Sequence, residues 1–371
     1  MAIIEPQAPG AEGVEANPGS SLQLRRADLV ATLSGLAESA DLATLRGQLA
    51  HLRTALTSGG SLWAAPHDDA VLFPAAFLCT ELDQIEAALT LERARYYLGR
   101  LTRAAQGERT AAINEIDLNR WKAYDDILTD SLWLIERRDS SGTHSADYWG
   151  NFVPQIPNQL MRRYTRRGDW VLDPFVGSGT TLIEGQRLGR NTLGVELQPQ
   201  VAERARALVD AEPNRHGVVS HVAIGDSANT DFRTLLEQHG ASSAQLALLH
   251  PPYHDIIRFS DDPRDLSNAA SVEAFLSGLQ AVVIAVAQAL DRGRYLALVI
   301  GDKYARSEWV PLGFMAMQAV QAQGFSLKSI VVKDINGTAG KRSQKELWRY
   351  RALVGGFYVF RHEYVFVFRK R

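Results

Sequence analysis

Four short stretches hold the side chains best suited to chemistry, and each follows a run of apolar residues. The first is Val171-Leu-Asp-Pro-Phe-Val-Gly-Ser-Gly-Thr-Thr181. Asp173 puts a carboxylate at the C-terminal edge of a predicted strand. Gly177 and Gly179 give a turn without Cβ atoms, and Thr180–Leu188 can run on as a helix. A strand, a glycine turn and a helix form a cradle where backbone approaches a ligand closely. The turn lacks the three-glycine spacing of a dinucleotide site and the Gly-Lys-Ser/Thr ending of a phosphate loop. The expected ligand is nucleotide-like, but neither a dinucleotide nor a triphosphate.

The second stretch ends in Glu196, after Thr192-Leu-Gly-Val195. An acidic residue roughly 20 positions beyond a glycine turn suits two ribose hydroxyls, because a carboxylate can accept from both. The third is Ile224-Gly-Asp-Ser227, where Asp226 is placed to accept from an adenine amino group. The fourth is His250-Pro-Pro-Tyr253, directly after Leu246-Ala-Leu-Leu249. Taken singly, each has an ordinary reading. Glu196 and Asp226 could be helix caps, His250 a strand-end histidine, and the proline pair a rigid turn. Together, on successive strand ends of one sheet, they point to a site, because ligands of open α/β sheets bind at those ends.

The elements that must position these residues follow from periodicity. Strands are predicted at Trp170–Leu172, Thr192–Val195, Ser220–Ile224, Leu246–Leu249, Tyr295–Ile300, Ser326–Val332 and Tyr364–Phe368. Helices fit between them at Thr180–Leu188, Gln198–Asp210, Thr230–His239, Val272–Leu290 and Val310–Gln323. Such alternation implies an α/β fold with a mostly parallel sheet covered on both faces. The seventh strand has no helix before it and should close an antiparallel hairpin, with residues 335–362 as an insertion. Residues 21–140 read as a mostly helical domain, from Leu29, Leu33 and Leu36, through Phe77, Leu82, Leu89 and Tyr96, to a helix over Ile113–Arg137. Ser140-Ser-Gly-Thr143 marks the boundary. Residues 1–20, rich in Gly, Pro, Ala and Glu, read as a disordered leader.

With 371 residues the chain has room for two domains. Hydrophobic residues make up 46% and charged residues 22%, as in a globular protein with a large core. The net charge is −2, so contact with nucleic acid must come from a local patch. The single cysteine, Cys79, excludes an internal disulfide and a cysteine-based zinc site. The apolar runs contain charges or fall short of the roughly 18 residues that span a bilayer, so no membrane contact is expected. The N-terminus lacks the basic start and apolar core of a signal peptide. A cytoplasmic protein is the default expectation.

Taken together, these motifs resemble the S-adenosylmethionine-dependent N4-cytosine/N6-adenine DNA methyltransferases. Asp173-Pro-Phe-Val-Gly-Ser-Gly-Thr-Thr181 resembles that family's cofactor motif. His250-Pro-Pro-Tyr253 resembles its catalytic motif, which usually begins with Asp, Asn or Ser. Tyr148-Trp-Gly-Asn-Phe-Val-Pro-Gln-Ile-Pro-Asn158 is similar to the segment that covers the methionine end of the cofactor, and His362–Arg369 to the last strand. The motif order, cofactor half before catalytic half, is the permuted one. The resemblance covers about residues 146–334 and 362–371, not the helical N-terminal domain, and implies a seven-stranded Rossmann-like methyltransferase sheet.

The resemblance also implies roles. Asp173, Phe175, Gly177, Ser178, Gly179, Thr180, Glu196, Asp226 and Pro157 would hold S-adenosylmethionine. His250 and the Pro251 carbonyl would accept the N–H bonds of a base amine, beside Pro252, and Tyr253 would stack on the flipped base. No metal is needed. His250 departs from the family. A neutral imidazole accepts one hydrogen bond, and a protonated one accepts none. Activity should then fall as pH drops through the His250 pKa, and a flat rate from pH 6 to 8 would count against this role. Histidine here does not distinguish adenine from cytosine as the target. Asp255 is either a supporting acceptor or a cap.

DNA is the expected partner. Lys341, Arg342, Lys345, Trp348, Arg349 and Arg351 of the insertion interleave charge with aromatics, as suits phosphate contact and base stacking. The plainer alternative is a solvated loop whose Trp348 packs on the sheet. Arg162-Arg-Tyr-Thr-Arg-Arg167 reads as a solvated helix face, and Arg258–Arg264 as a wall of the base pocket. Two other functions stay open: an RNA base amino-methyltransferase, and an inactive DNA-binding relative. The helical part could read the target, make a homodimer, or hold a restriction or defence partner.

Overall fold

The leucine periods of the N-terminal part close into a small core of their own. The computed structural model describes residues 21–57, 62–65, 68–306, 308–335 and 345–371. The expected leader and the basic residues Lys341 and Arg342 lie outside them. Among the described residues, those up to Ala111 together with Ile116–Asp125 form one compact unit. Ala112–Glu115 and Asp126–Arg371 form the other.

In the first unit, β1 (Ser21–Arg25) pairs antiparallel with β2 (Ala70–Pro74). Around them stand α1 (Arg26–Ala37), α2 (Leu42–Thr57), α3 (Ala75–Glu86) and α4 (Leu91–Gln106). Leu29, Leu33, Leu45, Leu49, Leu82, Ile85, Leu98 and Leu101 bury one face of each helix against Leu24 and Phe73. Leu89 and Tyr96, which continue the apolar pattern, point out to solvent.

The helix expected over Ile113–Arg137 does not form. The stretch holds a 3-10 turn at Leu118–Ala123 and a two-residue strand, β3 (Leu132–Trp133). Asp117 explains part of this, because its carboxylate accepts from the Arg109 and Asn119 amides and so competes with helical bonding. The units therefore divide near Asp125 rather than at Ser140, and Trp133 is buried in the sheet of the second unit. Trp121 and Trp149 are exposed.

The second unit is a sheet of eight strands. The expected seven are β4 (Trp170–Asp173), β5 (Asn191–Glu196), β6 (Ser220–Ile224), β7 (Ala244–Leu249), β8 (Leu290–Ile300), β11 (Phe325–Asp334) and β12 (His362–Lys370). A small pair, β9 (Lys303–Ala305) and β10 (Glu308–Val310), lies apart from the sheet. The order is β3-β11-β12-β8-β7-β4-β5-β6. The eighth strand is β3, added parallel to β11 at the edge. β12 runs antiparallel to β8 and β11, as expected, although a helix does precede it in the insertion.

Both faces of the sheet are buried, with a period of two. Leu172, Leu193, Leu249, Leu298 and Phe366 share a core with α9 (Val272–Ala289) and α10 (Leu312–Gln321). Val171, Leu248, Val299 and Val365 share one with α5 (Gln155–Tyr164). The connecting helices α6 (Thr180–Leu188), α7 (Pro199–Ala211) and α8 (Phe232–Glu237) fall close to expectation. The insertion contains α11 (Lys345–Gly355). By length and composition α9 alone among the described helices could cross a membrane, although it carries Glu273. Here its Phe275, Leu279, Val282, Val283 and Val286 pack in the sheet core.

One topological fact positions the site. β4 lies between β5 and β7, so the chain steps outward on one side of β4 and returns on the other. The C-terminal ends of β4 and β7 flank the crevice where open α/β sheets bind ligands.

Candidate active site at the sheet switch point

That crevice opens into a cavity of about 1220 Å³. The glycine turn after β4 and the His250-Pro-Pro-Tyr253 turn after β7 both line it.

On the turn side the wall is Phe175, Val176, Gly177, Ser178 and Thr180. Gly177 has φ +52° and Gly179 φ +83°, conformations that side-chain-bearing residues rarely adopt. A Cβ on Gly177 would sit 3.0 Å from the Tyr148 ring, so the missing side chain also makes room for the segment above it. Asn151 ties that segment down by accepting from the Thr180 hydroxyl at 2.8 Å.

Glu196, at the end of β5, is buried and lines the cavity. One carboxylate oxygen accepts from the Gly177 amide at 3.0 Å and the other from the Gln198 amide at 3.0 Å. Each oxygen keeps a second lone pair for a ligand. Burial raises its pKa above the ordinary carboxylate value, against these two amides. Asp226, beyond β6, lines the cavity and accepts from the Ala228 amide at 3.0 Å. Asp265 adds a third carboxylate, held by the Ser260 hydroxyl. Three acids on this wall suit a cationic nucleoside and repel phosphates.

The structure withdraws three predicted residues from the cavity wall: Asp173, Gly179 and Pro157 are not among its lining residues. Asp173 is buried behind the turn, where it accepts from the Phe175 amide at 2.9 Å. Burial pushes its carboxyl up to about 6, against the hydrogen bond from the Phe175 amide. Gly179 forms the first bend into α6. Pro157 lies inside α5, which begins just after the Tyr148–Val153 stretch that does line the cavity, and is buried there.

On the other side, His250 is half-buried, with the Phe152 ring edge-on at 4.8 Å between centroids. Its Nε2 lies 3.2 Å from the Tyr253 hydroxyl. That hydroxyl donates to Glu363 at 2.8 Å, and Glu363 pairs with Lys333 at 3.0 Å. Burial drives the His250 pKa down to about 4; Lys333 adds to the shift and Glu363 opposes it. The Tyr253 ring lies against Gly301 at the end of β8, where a Cβ would come within 3.0 Å of it. Asp255 faces neither the cavity nor a helix end as a cap: it pairs with the buried Lys303.

Glu363 and Lys333 were not legible as site residues. The available signal is a glutamate directly before the apolar run Tyr364–Phe368 of the closing strand. Arg138 was missed as well; it donates to the Phe152 carbonyl at 2.9 Å and lines the cavity. Of the basic insertion, Trp348 lines the cavity with the Arg351 guanidinium 5.2 Å above its ring, and Arg349 and Arg351 are exposed. The Lys345 side chain lies outside the described residues. Phe259 and Arg264 line the cavity, while Arg258 pairs with Asp261 at the surface. In the helix-face run, Arg162 pairs with Asp126 at 2.6 Å.

A family model described as DNA methylase, for N6 and N4 methyltransferases, matches residues 92–207. The match includes the glycine turn and Glu196. Over that part the chain is similar to the N4-cytosine/N6-adenine DNA methyltransferases. Its methylase relatives include the type II methyltransferase M2.DpnII of Streptococcus pneumoniae, 36% identical over 101 residues, 26% of this chain and 34% of that one. M.MjaII of Methanocaldococcus jannaschii is 40% identical over 67 residues, 18% of this chain and 13% of that one. M.BglI of Bacillus subtilis is 28% identical over 133 residues, 36% of each. The chain thus matches little more than a third of these curated relatives at most. Among solved structures, TrmN from Thermus thermophilus is similar at TM-score 0.38 and 17% identity, covering 59% of this chain and 49% of that one. The cofactor of this methylase family is S-adenosylmethionine. The acidic wall, the two spare lone pairs of Glu196 and the Cβ-free approach at Gly177 fit its sulfonium nucleoside.

Proposed function

We propose that this chain transfers a methyl group from S-adenosylmethionine to the exocyclic amine of a flipped DNA base, N6 of adenine or N4 of cytosine. One observation carries the reading: the glycine turn with Glu196 and the His250-Pro-Pro-Tyr253 turn face into a single cavity from the two sides of the sheet switch point. When bound, the cofactor supplies an electrophilic methyl.

The residues divide the remaining work. Glu196 accepts the two ribose hydroxyls, and Asp226 accepts the adenine amine of the cofactor. An amine on a base is a poor nucleophile, because its lone pair is delocalised into the ring. His250 and the Pro251 carbonyl accept its N–H bonds and favour a tetrahedral nitrogen whose lone pair points at the methyl. Preorganised acceptors on the cavity wall supply that bias without reorganisation. Tyr253 offers a stacking face, and Trp348 a second aromatic at the wall, for the extruded base. Arg349 and Arg351 stand exposed on the same helix as Trp348, where phosphates would meet them.

The test is methyl transfer from labelled cofactor to duplex DNA and, in parallel, to transfer RNA. Label in DNA, lost in H250A, supports the reading. Label in transfer RNA alone would replace DNA with RNA as substrate. Cofactor binding without transfer to either would make the chain an inactive relative. Sequencing for modified bases in cells with and without the protein then identifies the base.

A further inference from the structure

Lys333, Glu363, Tyr253 and His250 form one chain of polar contacts from β11 through β12 to the catalytic turn. Lys333 Nζ pairs with Glu363 Oε1 at 3.0 Å. Glu363 Oε2 accepts from the Tyr253 hydroxyl at 2.8 Å, and that hydroxyl lies 3.2 Å from His250 Nε2. Lys333 and Glu363 are 5% and 7% exposed, and all four residues line the cavity. β12 and β11 bring the pair together in register, Lys333 opposite Glu363.

The order of donors follows from elementary bookkeeping. Lys333 keeps Glu363 ionised despite its burial. A carboxylate only accepts, so the single phenolic proton of Tyr253 is committed to it. Toward His250 the Tyr253 oxygen can therefore only accept. His250 must donate from Nε2, and a neutral ring with Nε2–H carries its lone pair on Nδ1. We infer that Glu363, acting through Tyr253, is a positioning residue that holds His250 in the Nε2–H tautomer and so keeps Nδ1 as the acceptor for the base amine. This rests on the proposed amine methylation for its purpose, but not for its geometry.

The device answers the problem that histidine poses at this position. Asp accepts at either oxygen, whereas imidazole accepts at one nitrogen only, and the wrong tautomer would turn a donor toward an N–H. The Tyr253–Glu363 contact removes that choice. The same phenol can still present its ring face to a base, because the hydroxyl bonds run in the plane of the ring.

The experiment is nitrogen-15 NMR of the full-length protein labelled at histidine, at pH 7.5, with H250Q used to assign the His250 signals. The expected result is a neutral His250 ring with a protonated Nε2 and a bare Nδ1. In Y253F and in E363Q the ring should lose this single form and populate the Nδ1–H tautomer. Turnover of duplex DNA should fall about tenfold in each, the scale of one hydrogen bond, with KM little changed. The double variant should be no worse than the single ones, since both break one chain. A wild-type ring protonated on Nδ1, or ring signals unchanged in Y253F, would overturn the inference. Y253F leaves the Lys333–Glu363 pair intact, so it decides the matter even where E363Q fails to fold. If the wild-type protein methylates no nucleic acid, the proposed function fails, while the ring spectrum still decides the tautomer.

Discussion

The Tyr148 ring lies directly over Gly177, where a Cβ would meet it at 3.0 Å. The cover segment and the glycine turn are thus fitted to each other, and the fit depends on a hydrogen atom where other residues carry carbon. Gly177→Ala must pay twice, in left-handed backbone and in displaced aromatic ring. Its affinity for S-adenosylhomocysteine, measured by calorimetry, should fall by about fivefold to thirtyfold, the scale of the roughly 1–2 kcal/mol that an alanine in this backbone region costs. Wild-type affinity in this variant would mean that the turn does not hold the cofactor.

Glu196 is the second point of leverage on that ligand. Glu196→Gln keeps the shape but sets an NH2 group against either the Gly177 or the Gln198 amide, which now donate to the carboxylate. Loss of one charge-assisted acceptor should weaken cofactor binding by about tenfold or more. Turnover at saturating cofactor should change much less. Equal losses in both would place Glu196 in the chemistry instead.

The pH profile moves from where the motif alone would put it. His250 must be neutral to accept, and burial lowers its pKa to about 4. Single-turnover rates should therefore be level between pH 6 and 8 and drop only toward pH 4. The flat region that would count against histidine with an ordinary pKa is here the expected result. A fall in rate centred near 6.5 would show a solvated His250. The same shift bears on stability: the unfolded chain takes up this proton first, so the contribution is complete above 6.5 and lost as pH falls toward 4.

Asp173 acts in the opposite sense. Its folded pKa is raised from 3.8 to about 6, so its contribution to stability is full below 3.8 and lost as pH rises through 6. Asp173→Asn keeps an oxygen to accept the Phe175 amide and removes the buried charge. Its melting temperature relative to wild type should rise by several degrees on going from pH 5 to pH 8, the scale of about 1–3 kcal/mol. A difference independent of pH would show that Asp173 is not a buried titrating acid.

Much of this protein is written locally. The period-two and helical runs mark seven strands and their helices, because a sheet buried on both faces needs apolar residues at nearly every position. The glycine turn, Glu196 and His250-Pro-Pro-Tyr253 are legible because backbone shape and hydrogen-bonding capacity belong to the residues themselves. Long-range packing decided the rest. It turned the expected helix at Ile113–Arg137 into turns and an eighth strand, since Trp133 finds its burial against the sheet and not along a helix face. It drew Asp173 behind the turn and sent Asp255 to Lys303. Above all it set Glu363 beneath Tyr253. Only the antiparallel return of β12 between β8 and β11 brings a carboxylate from the end of the chain to a catalytic turn so far before it.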